Sequence, residues 1–155
     1  MRRLSGALLL CTILFVPVFS HGHGDLLAQQ APQKTTFTGD AVIQVFAINP
    51  DKTADYEQVL AKLKEVLSKS EDPQAKAQAA GWRVIKSAMP AADGTILYTH
   101  VISPVVKDAD YSLMNNIYAV VKDPAEQTAI FNMYRGAFKQ TLFITQGAIV
   151  TDLAK

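Results

Sequence analysis

The sequence predicts an α+β domain built on a four-stranded antiparallel sheet with helices on one face. Three observations predict it: an apolar run at residues 41–48, an apolar stripe with helical spacing from Tyr56 to Leu67, and later strand-like and helix-like segments separated by turn residues. The chain has 155 residues, of which 49% are apolar and 19% are charged. This length fits one domain, and the apolar fraction is high enough to form a core.

Residues 1–20 have the features of a secretory signal. Arg2 and Arg3 precede an apolar run at residues 7–16, and a proline and small residues follow that run. The run is too short for a helix that crosses a bilayer, which needs about 20 residues. We therefore expect export to the periplasm or the extracellular space, with no permanent membrane anchor.

Two cleavage points fit this signal, one after Ser20 and one as late as Ala28. Residues 21–40 are polar and rich in turn formers, which predicts a flexible leader before a domain at residues 41–155. Cleavage removes Cys11, the one cysteine, so the mature chain can form no disulfide. Loss of the two signal arginines changes the formal net charge from +1 to −1. Because no long basic run is present, we expect no nucleic-acid partner.

The first elements of the domain follow from their hydrophobic period. Residues 41–48 are rich in Val, Ile and Phe, which predicts a strand buried on most of both faces. The apolar stripe from Tyr56 to Leu67 lies opposite several lysines, which predicts an amphipathic helix of about 17 residues. Asp51 or Thr53 can cap the start of this helix.

The later elements follow from caps and turns. They are a short helix at 73–81, hairpin strands at 82–88 and 95–102, a broken helix from Asp108 or Asp110 to 138, and a last strand at 141–150. The break in the long helix falls at Asp123 and Pro124, where a cap restarts it. Glu126 stands three residues after Asp123, a spacing at which the two side chains can each bond the other's backbone amide.

The resulting order, β-α-α-β-β-α-β, is that of a ferredoxin-like split βαβ domain. In element order and size the chain resembles the dimeric α+β barrel superfamily, in which two such sheets pair through their open faces. The resemblance covers about residues 41–150 and implies a homodimer. That superfamily includes small monooxygenases, haem-degrading or haem-binding enzymes and proteins with no assigned activity, so it leaves the function open.

Alternation along the first strand predicts which side the helices cover. Ile43, Val45 and Ala47 form an all-apolar face, which we expect to lie under the helices. The opposite face would then be open and could line a cavity for a small apolar or amphipathic ligand between the two sheets of a dimer. Five side chains are the candidates for that cavity: Gln44, Phe46, Trp82, Tyr98 and His100.

The sequence offers few residues for catalysis. No Asp or Glu lies inside a predicted strand, so we expect neither a paired-carboxylate mechanism nor a carboxylate-rich metal site. His100 is the only histidine of the domain and the only candidate catalytic residue. The leading hypothesis is a non-enzymatic, homodimeric binding module without a cofactor. The alternative is a small oxygenase-like or haem-linked enzyme that uses His100 as a base or as an axial ligand.

A separate metal hypothesis concerns His21 and His23. If cleavage follows Ser20, the new terminal amine, two peptide nitrogens and the ring of His23 could hold Cu(II) in a square plane. Cleavage after Ala28 would remove both histidines.

Overall fold

The computed structural model describes residues 33–153, and the predicted signal and most of the predicted leader lie outside that range. Its elements are β1 (Ala41–Ile48), a 3-10 turn (Pro50–Lys52), α1 (Thr53–Lys69), α2 (Pro73–Gly81), β2 (Trp82–Lys86), β3 (Ile96–Ile102), α3 (Leu113–Val120), α4 (Pro124–Ala137) and β4 (Phe138–Gly147). The α+β class and the four-stranded antiparallel sheet are confirmed. Within residues 33–153, no helix has the length and apolar character needed to cross a membrane.

The strands lie in the order β2-β3-β1-β4, and each neighbouring pair is antiparallel. Strand β1 is therefore central, with Gln44 opposite His100 of β3 and opposite Ile144 of β4. Opposite residues of antiparallel strands share a face, so this register fixes which side chains meet.

One face of the sheet, here termed the covered face, packs against the helices. It includes Phe46 and Ile48 of β1 and Tyr98 of β3, which form one core cluster with Tyr56 and Val59 of α1. Residues of α3 and α4 complete this cluster: Leu113, Ile117, Ile130 and Ala137. A second, smaller cluster at the other end of the sheet contains Val42, Ile102 and Tyr111, among others.

The opposite side, here termed the open face, exposes large apolar side chains. Ile43 of β1, Ile85 of β2 and Phe143 of β4 are 40%, 57% and 51% exposed. The prediction that the all-apolar face of β1 lies under the helices is wrong. The structure instead covers the face that carries Gln44 and Phe46.

Helix α4 begins as predicted, whereas α3 does not. The side chain of Asp123 accepts a hydrogen bond from the backbone of Ala125 at 2.9 Å. Glu126 does not complete the reciprocal cap, and its carboxylate lies 2.8 Å from Lys62 of α1. Helix α3 is capped by Ser112 rather than by Asp108 or Asp110.

Asp110 has a different role. Its side chain binds the backbone of the segment that precedes β1. Its carboxylate accepts from the backbone N–H groups of Thr35 and Ser112, both at 2.9 Å. Phe37 is buried and lies 5.4 Å from the ring of Tyr111. Residues 35–37, which the sequence placed in the flexible leader, thus pack against the domain.

Helix α1 starts without a side-chain cap. Its N-cap position is Lys52, at the end of the 3-10 turn, so neither Asp51 nor Thr53 has the predicted role.

Helix α2 and strand β2 join with no loop between them. Gly81 ends the helix and Trp82 begins the strand. A Cβ atom at position 81 would lie 2.6 Å from the carbonyl oxygen of Pro104, so only glycine fits beside this backbone. The backbone N–H of Ser103 donates to the carbonyl of Gly81 at 2.9 Å, which fixes the junction to the end of β3.

Candidate functional site

The five predicted cavity residues do lie on one face, but it is the covered face. Gln44, Phe46, Tyr98 and His100 are 4%, 6%, 2% and 0% exposed, so all four belong to the interior. Trp82 is half-buried and lines an open depression. The prediction of a cavity on the open face is therefore wrong. Of the five residues, Trp82 is the one that can form part of a candidate site.

Three side chains form a hydrogen-bonded chain inside the protein, here termed the buried triad: Trp82, His100 and Tyr56. The indole Nε1 of Trp82 donates to Nδ1 of His100 at 3.0 Å. The other ring nitrogen, Nε2, lies 2.8 Å from the hydroxyl of Tyr56. Strand β2, strand β3 and helix α1 thus each contribute one member, and the triad ties the helix to two strands.

The triad fixes the protonation state of His100. An indole N–H can only donate, so Nδ1 must accept and the ring proton must lie on Nε2, which donates to Tyr56. Burial lowers the pKa of His100 to about 4, because a charged ring would lose its hydration. Burial likewise raises the pKa of Tyr56 well above its ordinary value. Both groups are therefore neutral at physiological pH.

This geometry does not fit the enzymatic alternative. His100 is fully buried, and each of its nitrogens already has a protein partner. A general base needs a nitrogen lone pair within reach of a substrate, and an axial haem ligand needs one directed at the iron. His100 lines neither of the two depressions of residues 33–153 that are described below.

Tyr98 of the inner strand β3 forms a hydrogen bond through its hydroxyl group. Its hydroxyl donates to the carboxylate of Glu57 at 2.6 Å, and Lys86 lies 2.8 Å from the same carboxylate. The hydrogen bonds from Lys86 and Tyr98 lower the pKa of Glu57. The cluster links α1 to β2 and β3, and it explains Tyr98 as a structural residue.

Gln44 presents an unusual buried group. Its side-chain Nε2 is buried, and residues 33–153 supply no hydrogen-bond acceptor for it. An unpaired buried amide costs free energy. It lies on β1 between His100 and Ile144, in the region where the two core clusters meet.

The larger depression, here termed the Trp82 groove, runs between α1, the end of α2 and strand β2. Its volume is about 550 Å³, within the range of small-molecule sites. Its lining is mostly apolar and consists of Leu60, Ala61, Leu63, Lys64, Leu67, Ser68, Ala79, Trp82 and Val84.

The groove arises because α1 has more apolar surface than the core uses. Leu63 and Leu67 are buried, while Leu60, one turn earlier, is only half-buried. On the sheet side, Val84 belongs to the edge strand β2 and is also half-buried. Apolar side chains of the helix and of the strand therefore face the same open space.

A second depression of about 200 Å³ lies near the C-terminal end of α1 and has a polar lining. Its polar groups hold the structure together. Asp72 caps α2 through the backbone of Gln74 at 2.9 Å, and Gln78 donates to the carbonyl of Asp110 at 2.6 Å. This depression needs no ligand to explain its residues.

The metal hypothesis for His21 and His23 lies outside the described residues. Within residues 33–153, no group of three or more His, Cys, Asp or Glu side chains is arranged to hold a metal ion.

Comparison with known proteins adds no relative: no protein-family model, no curated protein and no solved structure matches this chain.

Sequence reasoning found Trp82 but missed the helical half of the groove. The helical pattern places Leu60 in the apolar stripe and Lys64 on the opposite, lysine-bearing side of α1, so it does not bring the two together in one site. The available signal was the width of the apolar stripe on α1, which Leu60 extends beyond what a single sheet contact needs.

Proposed function

We propose that the chain is a non-enzymatic binding module for a small apolar or amphipathic molecule, and that the Trp82 groove is its site. The observation that carries the proposal is the groove itself, an apolar depression of about 550 Å³ with an aromatic ring in its wall. Burying apolar ligand surface supplies about 25 cal/mol for each Å² removed from water. Aromatic rings add large contact surfaces that lose little conformational entropy.

The experiment uses the only tryptophan of the chain, Trp82, as the reporter. A neutral apolar probe, N-phenyl-1-naphthylamine, is titrated into the protein while tryptophan emission is followed. We expect saturable quenching by energy transfer to the bound probe. Ala79→Phe, which places a ring in the groove, should weaken binding at least about tenfold, the effect of losing roughly 1.4 kcal/mol of binding free energy.

The matched control is Ala77→Phe, at an exposed position of the same helix that does not line the groove. It should bind the probe as the wild type does. Equal weakening in both variants, or no saturable quenching in the wild type, would refute the groove as the site.

We also propose that the domain is ferredoxin-like and forms a homodimer through the open face, as in the dimeric α+β barrel superfamily. The order β2-β3-β1-β4 and the exposed Ile43, Ile85 and Phe143 support this. Large exposed apolar side chains on one face often mark an interface, and a second copy would cover them.

Light scattering at micromolar concentration tests the dimer. We expect twice the monomer mass for the wild type and the monomer mass for Phe143→Lys. Phe131→Lys, at a 41% exposed position of α4, is the control and should remain dimeric. A monomeric wild type would overturn this proposal.

Export is the remaining part of the proposal, and the apolar run at residues 7–16 behind two arginines supports it. Mass spectrometry of the chain from cell fractions should find a first residue of His21 or Gln29 outside the cytoplasm. A full-length chain found only in the cytoplasm would contradict it.

A further inference from the structure

The polar groups that line the Trp82 groove can be accounted for individually. Three lining side chains carry hydrogen-bond donors: Lys64, Ser68 and Trp82. The hydroxyl of Ser68 donates to the backbone carbonyl of Glu65 at 2.9 Å, and the indole of Trp82 donates to His100 at 3.0 Å. The ammonium group of Lys64 is therefore the one lining side-chain donor not used by such a bond within residues 33–153.

Lys64 also differs from its neighbours on α1 in its charge environment. Lys62 lies 2.8 Å from Glu126, and Lys69 lies 2.8 Å from Glu65. Within residues 33–153, no carboxylate lies within salt-bridge distance of Lys64. An uncompensated positive charge thus stands beside an apolar groove, and the methylene groups of its side chain can extend that apolar wall.

We propose that the groove takes a small amphipathic anion, with its apolar chain against Trp82, Val84 and Leu60 and its anionic group at Nζ of Lys64. This inference rests on the proposed function and names the chemical class of the ligand. A charged group attracts an anion most effectively where apolar surroundings limit screening by water. The rest of the lining, which lacks a second unused side-chain donor, suits a hydrocarbon chain.

The groove fits a free amphiphile better than a membrane surface. A volume of about 550 Å³ suits one small molecule. Recognition of an anionic bilayer typically uses clusters of four or more Lys or Arg residues, whereas one lysine lines this groove.

The experiment compares decanoate with decanol, which have the same chain length and differ in the charge of the head group. Both are titrated at pH 7 into the wild-type protein, with the emission of Trp82 as the readout. We expect decanoate to bind about five times more tightly than decanol, the preference that a partly exposed ion pair of roughly 1 kcal/mol supplies. Lys64→Gln should remove this preference, so that decanoate binds no more tightly than decanol.

Two further variants sharpen the result. Lys107→Gln removes one charge at an exposed residue that does not line the groove, and it should keep the preference for decanoate. Lys64→Glu places a negative charge beside the groove, so this variant should bind decyltrimethylammonium more tightly than decanoate. Circular dichroism of each variant verifies that the fold is intact.

The outcomes separate the inference from the proposed function. Equal binding of decanoate and decanol by the wild type would overturn the anion specificity and leave the apolar site standing. Equal losses in Lys64→Gln and Lys107→Gln would overturn it as well, because only net charge would matter. Binding to anionic phospholipid vesicles without binding of free decanoate would replace the free ligand with a membrane. If neither amphiphile nor the neutral naphthylamine probe changes the emission, the proposed function itself fails.

Discussion

The two faces of the sheet both depart from a simple pattern of apolar side chains inside and polar side chains outside. The covered face buries His100, Gln44 and the ring of Tyr98, whereas the open face exposes Ile43, Ile85 and Phe143. Polarity alone therefore does not indicate which face lies under the helices. A polar strand residue can be interior when another element supplies a partner, as α1 supplies Tyr56 to His100.

The first prediction concerns His100→Ala, which removes the most buried polar side chain of the covered face. The substitution removes a fully buried ring and leaves the indole N–H of Trp82 without its acceptor. We expect a loss of about 4 kcal/mol in the free energy of unfolding, from a cavity and an orphaned donor together. Urea denaturation measures it, and a loss below about 1 kcal/mol would show that the triad contributes little.

The second prediction is the pH dependence of the same face. The folded pKa of His100 is about 4, below the usual value of about 6.5 for an unfolded chain, so the unfolded state binds the proton more readily. The stability is then complete above pH 6.5 or so and falls as the pH drops toward 4, by roughly 3 kcal/mol in total.

Denaturation between pH 5 and pH 7 isolates this effect, because the carboxylates titrate mainly below that range. His100→Gln should flatten the slope. An equal slope in wild type and variant would place the titration on another group.

The third prediction concerns Gln44, the buried amide without a partner among residues 33–153. Gln44→Leu keeps a similar volume and removes the unsatisfied group, so we expect a gain of about 1 kcal/mol in stability. The control is Gln146→Leu on β4, because the side-chain oxygen of Gln146 accepts from the backbone of Thr38 at 2.9 Å. That control should lose stability, and a loss at Gln44 as well would mean that its amide is satisfied.

The smallest expected effect is at the rim of the covered face. Lys86→Gln breaks an ion pair with Glu57 in which both side chains are nearly half exposed. We expect a change of about 0.5 kcal/mol or less, because exposed ion pairs are screened by water and salt. A change several times larger would show that the rim stabilises the sheet as strongly as the buried triad does.

Sequence reasoning recovered the fold class and most elements, because those depend on local signals. Strand β1 and helix α2 have the predicted bounds, since Pro50 follows the strand closely and Gly81 ends the helix. Helix α1 contains the apolar stripe that predicts it. Strand β4 begins at Phe138 rather than at residue 141. In the sequence, Phe138 continues the helical spacing of the apolar stripe that predicts α4. No local signal therefore marks the boundary between α4 and β4.

The site was less predictable because it depends on contacts between distant residues. Trp82 and His100 are 18 positions apart, and Tyr56 and His100 are 44 apart, so no spacing rule joins them. The face of β1 was misassigned for the same reason, since the hydroxyl that makes a buried His100 tolerable comes from α1. Lys64 became relevant only when the path of α1 relative to β2 was known.

The glycine at the junction of α2 and β2 has a consequence for recognition. Ala79, Trp82 and Val84 belong to one short stretch of backbone that has no loop in it and is fastened to Ser103. One wall of the groove is therefore already ordered before any ligand arrives. A molecule that enters would not have to pay the entropic cost of arranging that wall, so even a few apolar contacts could hold it.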